Sequence, residues 1–152
     1  MKADISNLTI IDCAFNNLSE INVRNFSKLK EFYCNDNKIT SLDLTGCISL
    51  EKFSCNGNNL INALNIKDCT SLKEVSCQKC SLKSLFIDHC TELISLNCSQ
   101  NDLQPSLDVN KNPMLILLNC LYNNKLTELI VKRVNTIQTL YKDNHTQIVY
   151  VD

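Results

Sequence analysis

The sequence predicts a right-handed solenoid of stacked, β-rich coils, and three observations carry that prediction. Cys13, Cys34, Cys55, Cys77, Cys98 and Cys120 follow one another at intervals of 21 or 22 residues. Each cysteine closes the same short phrase: Leu29-x-x-Phe32-x-Cys34, Leu50-x-x-Phe53-x-Cys55, Leu93-x-x-Leu96-x-Cys98. Three residues beyond the cysteine stands Asn16, Asn37, Asn58, Asn101 or Asn123, followed by a further aliphatic residue such as Ile39, Leu60 or Leu103.

A fixed period near 21 with this internal pattern is that of a leucine-rich-repeat solenoid, here at the β-rich end of the α/β-horseshoe class. Coils begin at Leu8, Leu29, Leu50, Leu72, Leu93, Leu115 and Ile137, so residues 1–152 read as one repeat domain of seven coils, the last cut short. Around each Leu-x-Cys the residues alternate inward and outward with period two, as a strand with one buried face requires. Stacking the coils pairs these strands into about seven parallel concave strands.

Where the chain leaves the sheet, backbone donors and acceptors lose their ladder partners. The repeated Asn supplies an acceptor and two donors, and can satisfy that backbone from coil to coil. Coil four has Cys80 at this position, read as a variant of the ladder, and the last coil has His145. The return limb carries a second alternating phrase, Leu18-x-x-Ile21-x-Val23, Ile39-x-x-Leu42-x-Leu44 and Leu126-x-x-Leu129-x-Val131. Only about twelve residues separate the Asn from the next coil, too few for a helix with two connections, so this limb is predicted extended or in a single tight turn. The 22-residue coils are expected to absorb their extra residue beside Asn62-Ala63, at Gln104-Pro105-Ser106 and near Asn124, all in loops. At the last coil Lys142 replaces the cysteine, which reads as polar termination.

The repeat resembles the short bacterial leucine-rich-repeat class called IRREKO, whose pattern is LxxLxCxxNxLxxLDLxxNxx. Leu29 to Ser49 fits it nearly position by position, including Leu42-Asp43-Leu44, and Leu93 to Met114 keeps Leu107-Asp108-Val109 and Asn112. It is also similar to the internalin J group of bacterial surface proteins, in which a cysteine ladder lines the sheet. The resemblance implies a recognition surface for another protein.

Composition agrees with a folded chain of this kind: 44% of the 152 residues are apolar, and there are only two glycines and two prolines. With 15 basic and 16 acidic residues the formal charge is -1, and no basic run forms a footprint for nucleic acid or anionic membrane. No stretch approaches the roughly 18 apolar residues of a spanning helix, so membrane insertion is not expected. The polar start, Met1 to Asn7, lacks the apolar core of a secretory signal. The default expectation is therefore a cytoplasmic protein, with a secreted or surface-exposed one as the alternative if the chain is a fragment or an exported effector.

Ten cysteines raise the question of disulfides. Equivalent residues on adjacent coils lie about 4.8 Å apart with parallel Cβ vectors, whereas a disulfide wants converging Cβ atoms about 3.8 Å apart. Free buried thiols are expected, including Cys47, Cys69 and Cys90 in a second phase. Cys77-x-x-Cys80 has metal-ligand spacing but only half of the ligands a zinc site needs. Asp88-His89-Cys90 holds the residue types of a triad but lies in a turn, where sequence neighbours rarely converge. No catalytic residue, metal or cofactor is assigned, and the chain is read as a non-enzyme.

Function is sought instead on the outward positions of the concave sheet. These are Glu31, Tyr33 and Asn35; Lys52, Ser54 and Asn56; Glu74, Ser76 and Gln78; Ser95, Asn97 and Ser99. Ile10, Ala14 and Phe15 face out near the start, and Leu117, Leu121, Tyr122 and Tyr141 near the finish. Outward apolar and aromatic groups mark an interaction site, so the candidate protein-binding residues are Glu31, Tyr33, Lys52, Glu74, Leu117, Leu121, Tyr122 and Tyr141. The identity of the partner is open, and end-to-end self-association through open coil ends is the alternative use of the surface.

Overall fold

A computed structural model describes residues 7–58 and 62–152; Leu60 and the Met1–Ser6 start lie outside the described residues. In chain order the strands are β1 (Ile10–Asp12), β2 (Glu31–Tyr33), β3 (Lys52–Ser54), β4 (Ala63–Asn65), β5 (Glu74–Ser76), β6 (Ser84–Phe86), β7 (Ser95–Asn97), β8 (Ser106–Asp108), β9 (Leu117–Asn119), β10 (Glu128–Lys132), β11 (Thr139–Tyr141) and β12 (Gln147–Val151). No helix occurs among the described residues, and so none is long and apolar enough to cross a membrane.

The architecture is the leucine-rich-repeat solenoid that the period predicts. One parallel sheet runs β1-β2-β3-β5-β7-β9-β11, one strand per coil, and is called the long sheet below. The opposite limb is extended, as the short connection requires, and from the third coil onward it forms two smaller parallel sheets, β4-β6 and β12-β10-β8. Between the layers lies a continuous core. The middle residue of each long-sheet strand points inward, and Phe32, Phe53, Val75, Leu96 and Leu118 are buried. Phe32 and Phe53 stack with ring centroids 5.7 Å apart. The second phrase contributes Leu64, Leu107, Leu129 and their neighbours from the other side.

Register locates the extra residue of the longer coils. Lys52 pairs with Glu74, an offset of 22, but Ala63 pairs with Ser84, an offset of 21. The added residue of the third coil therefore falls between Asn58 and Ala63, and the others fall by the same comparison before Ser106 and Glu128. These are the loops the sequence points to, where an addition leaves both ladders intact.

All ten cysteines are free thiols, and nine are buried; Cys13 in the first coil is half-buried. Burial raises most of their pKa values, Cys69 and Cys90 to about 12 and Cys120 to about 11. The second-phase cysteines form a row of their own: the thiols of Cys47, Cys69 and Cys90 donate to the carbonyls of Val23, Leu44 and Ile66, one coil back. Asn112 continues this row, donating to the Ile87 carbonyl at 3.0 Å.

The asparagine ladder works as its chemistry suggests. Asn58 Oδ1 accepts from the Ile39 N–H at 3.0 Å, and its Nδ2 donates to the carbonyls of Cys34 and Cys55 at 2.9 and 2.8 Å. Asn37, Asn101 and Asn123 repeat this pattern. His145 does not. It is exposed, because the last coil shortens: Leu118 pairs with Leu140, an offset of 22, while Leu129 pairs with Ile148, an offset of 19. Asp143 serves the turn instead, its carboxylate accepting from the N–H groups of Tyr122 and Asn123 at 3.1 and 2.9 Å. Lys142 stands at the cysteine position, half-buried, and donates to the carbonyls of Asp143 and Thr146.

Candidate protein-binding face

Each long-sheet strand turns its first and third residues outward. Two rows result: Ile10, Glu31, Lys52, Glu74, Ser95, Leu117, Thr139, and Asp12, Tyr33, Ser54, Ser76, Asn97, Asn119, Tyr141. Between the rows runs a shallow open groove of about 380 Å³, bordered by Tyr33, Lys52, Glu74, Asn97 and Leu117. It is too open to enclose a small molecule and wide enough to lie against a protein segment.

The charged half of the face is internally paired. Tyr33 Oη donates to Glu31 Oε2 at 2.9 Å; burial and that hydrogen bond push its hydroxyl up to about 12. Lys52 and Glu74 approach to 3.6 Å. In the flanking row Glu51 sits between Lys73 at 2.9 Å and Lys30 at 3.7 Å, and the Lys73 hydrogen bond holds its carboxyl below the usual range. A side chain that must first leave a partner contributes little net binding energy, so these pairs set register more than affinity.

The middle is polar and tied together. Asn56 Oδ1 accepts from Ser76 Oγ and from the Gln78 N–H, both at 2.8 Å, and Asn35 Oδ1 does the same for Ser54 and Asn56. Asn97 Nδ2 donates to Gln78 Oε1 at 3.2 Å. Ser99, counted outward by the alternation, is buried at 3% exposure. The chain is already turning off the sheet there, and its hydroxyl is drawn to Asn97 Oδ1 at 2.8 Å.

Toward the last coils the face becomes apolar. Leu117, Tyr122 and Tyr141 are exposed, at 36%, 62% and 50%, while Leu121 is half-buried. Two further residues join them that the sequence reading passed over, Ile94 at 40% and Ile116 at 39%. They continue the flanking row of Lys30, Glu51 and Lys73, each bonded to the coil before: Glu51 N–H to Lys30, Lys73 to Glu51, Ile94 to Lys73 and Ile116 to Ile94. The position precedes the strand, so strand alternation did not reach it; the switch from charge to isoleucine in one repeat column was the available signal.

One rim position in each of the first six coils takes the left-handed conformation: Phe15, Asp36, Gly57, Lys79, Gln100 and Tyr122, with φ between 51° and 72°. Each directly precedes the ladder position, where the chain turns outward. The two aromatics here, Phe15 and Tyr122, are also among the most exposed apolar residues.

The residue types that raised enzymatic possibilities do not assemble. Cys80 turns its sulfur toward Cys55, with Sγ–Sγ 4.0 Å, and bonds the Cys55 carbonyl. Cys90 is buried with its thiol pushed up to about 12 by burial first and Asp88 second, while Asp88 and His89 are exposed. Among the described residues no group of three or more His, Cys, Asp or Glu side chains converges to hold a metal.

Comparison with known proteins agrees with this geometry. Residues 27–68 match the family described as Leucine Rich repeats (2 copies). No curated protein matches the chain. Among solved structures, the chain is similar to "Functional domain of InlJ from Listeria monocytogenes includes a cysteine ladder", with 20% identity and a TM-score of 0.53. The likeness covers 97% of this chain and 46% of that one. What these comparisons share is a leucine-rich-repeat fold.

Proposed function

We propose that the chain is a non-enzymatic protein-recognition module that binds its partner along the outer face of the long sheet. The observation that carries this reading is the exposed apolar end of that face, Ile94, Ile116, Leu117, Tyr122 and Tyr141, beside a polar floor already locked by its own hydrogen bonds. Large apolar groups concentrated on one face mark an interaction surface, and aromatic residues carry most of the energy at such surfaces. A rigid floor reduces the ordering cost of binding. The buried, protonated Cys90 thiol beside exposed Asp88 and His89 supports the non-enzymatic part.

The test is affinity capture from the source cells with the native chain and with a Tyr122→Ala, Tyr141→Ala double variant. The variant should hold the captured partner at least about tenfold more weakly, with a melting temperature within a degree or two of the native value. Undiminished capture would remove the reading, and a large fall in melting temperature would make these rings packing elements instead.

A second reading is a structural or self-associating segment of a longer bacterial surface or effector repeat protein. It is favoured by β12, whose Val149 and Tyr150 are exposed and which pairs only β10 among the described residues. Light scattering against concentration separates the two: growth in mass supports self-association, and a constant monomer mass supports the recognition module.

A further inference from the structure

One cysteine outside the cysteine column converges on it. Ladder side chains reach back one coil: Asn58 Nδ2 donates to the Cys34 carbonyl, Asn101 to Cys77, Asn123 to Cys98. Cys80 occupies the same ladder position and does the same, its Sγ 3.1 Å from the Cys55 carbonyl oxygen. The substitution of Cys for Asn therefore aims a second sulfur at a column cysteine, and Cys55 Sγ lies 4.0 Å away in hydrogen-bond geometry. It is the one thiol–thiol contact of that kind among the described residues. To bond, the two sulfurs must close from 4.0 Å to the roughly 2.05 Å of a disulfide.

The two thiols differ in acidity. Cys80 lies below the ordinary thiol value, held there by the Cys55 hydrogen bond and by the backbone of Asn58 and Gly57, while the same bond and burial raise Cys55. The thiolate is the nucleophile toward oxidants, so Cys80 reacts first and Cys55 resolves. Both residues have no exposed surface, which restricts the oxidant to a molecule little larger than water.

We infer that Cys55 and Cys80 are an oxidation site, at which a small peroxide converts the thiol pair into a disulfide joining two adjacent coils. The Cys80 sulfur attacks one peroxide oxygen, the O–O bond breaks and hydroxide leaves, giving a sulfenic acid. The Cys55 sulfur then attacks the Cys80 sulfur, the S–O bond breaks and water leaves. In sum the two thiols give up two protons and two electrons, and hydrogen peroxide becomes two waters.

The experiment treats the native full chain with hydrogen peroxide, removes the excess, then alkylates under denaturing conditions and maps the peptides by mass spectrometry. One linkage, Cys55 to Cys80, should form, with the other eight cysteines alkylated; the oxidised chain should melt several degrees higher and revert on reduction. Cys80→Asn, which restores the residue of the other coils, should fold and form no linkage. Cys55→Ala, which removes the partner thiol, should likewise form no linkage, with its remaining nine cysteines alkylated. Ten alkylatable cysteines after treatment, or linkages scattered over other cysteines, would each overturn the site.

Discussion

Tyr122 holds a φ of 60° with its ring 62% exposed, a conformation that costs a side-chain-bearing residue roughly 1 kcal/mol and a glycine nothing. Gly57 fills the same rim position three coils earlier. Tyr122→Gly should therefore leave stability unchanged or raise it by up to about 1 kcal/mol, read from the urea midpoint, while partner capture falls. A residue retained for packing would behave the other way. Gly46 makes the opposite case. At φ +80°, a Cβ there would meet the Asn25 Cα at 2.9 Å, backbone that cannot swing aside, so Gly46→Ala should destabilise by more than about 1 kcal/mol in the same assay. Of the eight candidate surface residues, all but Tyr122 are outward by strand alternation; Tyr122 stands two residues past the inward Cys120 and is turned out by its left-handed backbone. Their pairing does not follow from the alternation, because Tyr33 with Glu31 and Lys52 with Glu74 depend on rotamers that periodicity leaves open. Ile94 and Ile116 were equally readable by column, but the alternation stops one residue short of them.

At the scale of the element, the asparagine ladder was legible because its chemistry is local: the chain turns, the backbone needs partners, and one side chain type supplies both kinds. Asn58→Ala would strand the Ile39 N–H in a buried site and take one of two donors from the carbonyls of Cys34 and Cys55, which keep Asn37 Nδ2 and Cys80 Sγ. A loss of roughly 1 to 3 kcal/mol should follow, measured by chemical denaturation. The convergence of Cys80 on Cys55 was not legible, although its ladder role was. Sequence places the two in adjacent coils but does not say that a shorter side chain, reaching back for the same carbonyl, ends against a thiol. The last coil shows the other limit. Its concave strand keeps the offset of 22, and only the three-residue deficit before β12 displaces His145 and brings Asp143 to the turn. Counting along the repeat from the cysteine position cannot see a deletion that occurs later in the same coil.

For the molecule as a whole, the buried thiols set its response to alkali. Folded-state values near 12 for Cys69 and Cys90 and near 11 for Cys120 stand above the ordinary 9.0. Below pH 9 both the folded and the unfolded chain keep these protons, and the thiols contribute no pH dependence. Above it the unfolded chain releases protons that the folded chain retains, so stability falls as pH climbs toward 11 to 12, by about 1.4 kcal/mol per pH unit for each such thiol. The melting temperature should thus be level to about pH 9 and then drop steeply, and Cys69→Ala should make the drop shallower. Stacking has a mechanical side as well. Every long-sheet strand bonds only the strands before and after it, and those bonds point along the stack rather than across it. A pull on the two ends of the chain loads one row of bonds at a time, in peeling rather than in shear. Under an optical trap the molecule should yield as a series of small, similar force steps, each freeing one coil of about 21 residues and roughly 70 to 75 Å of extended chain.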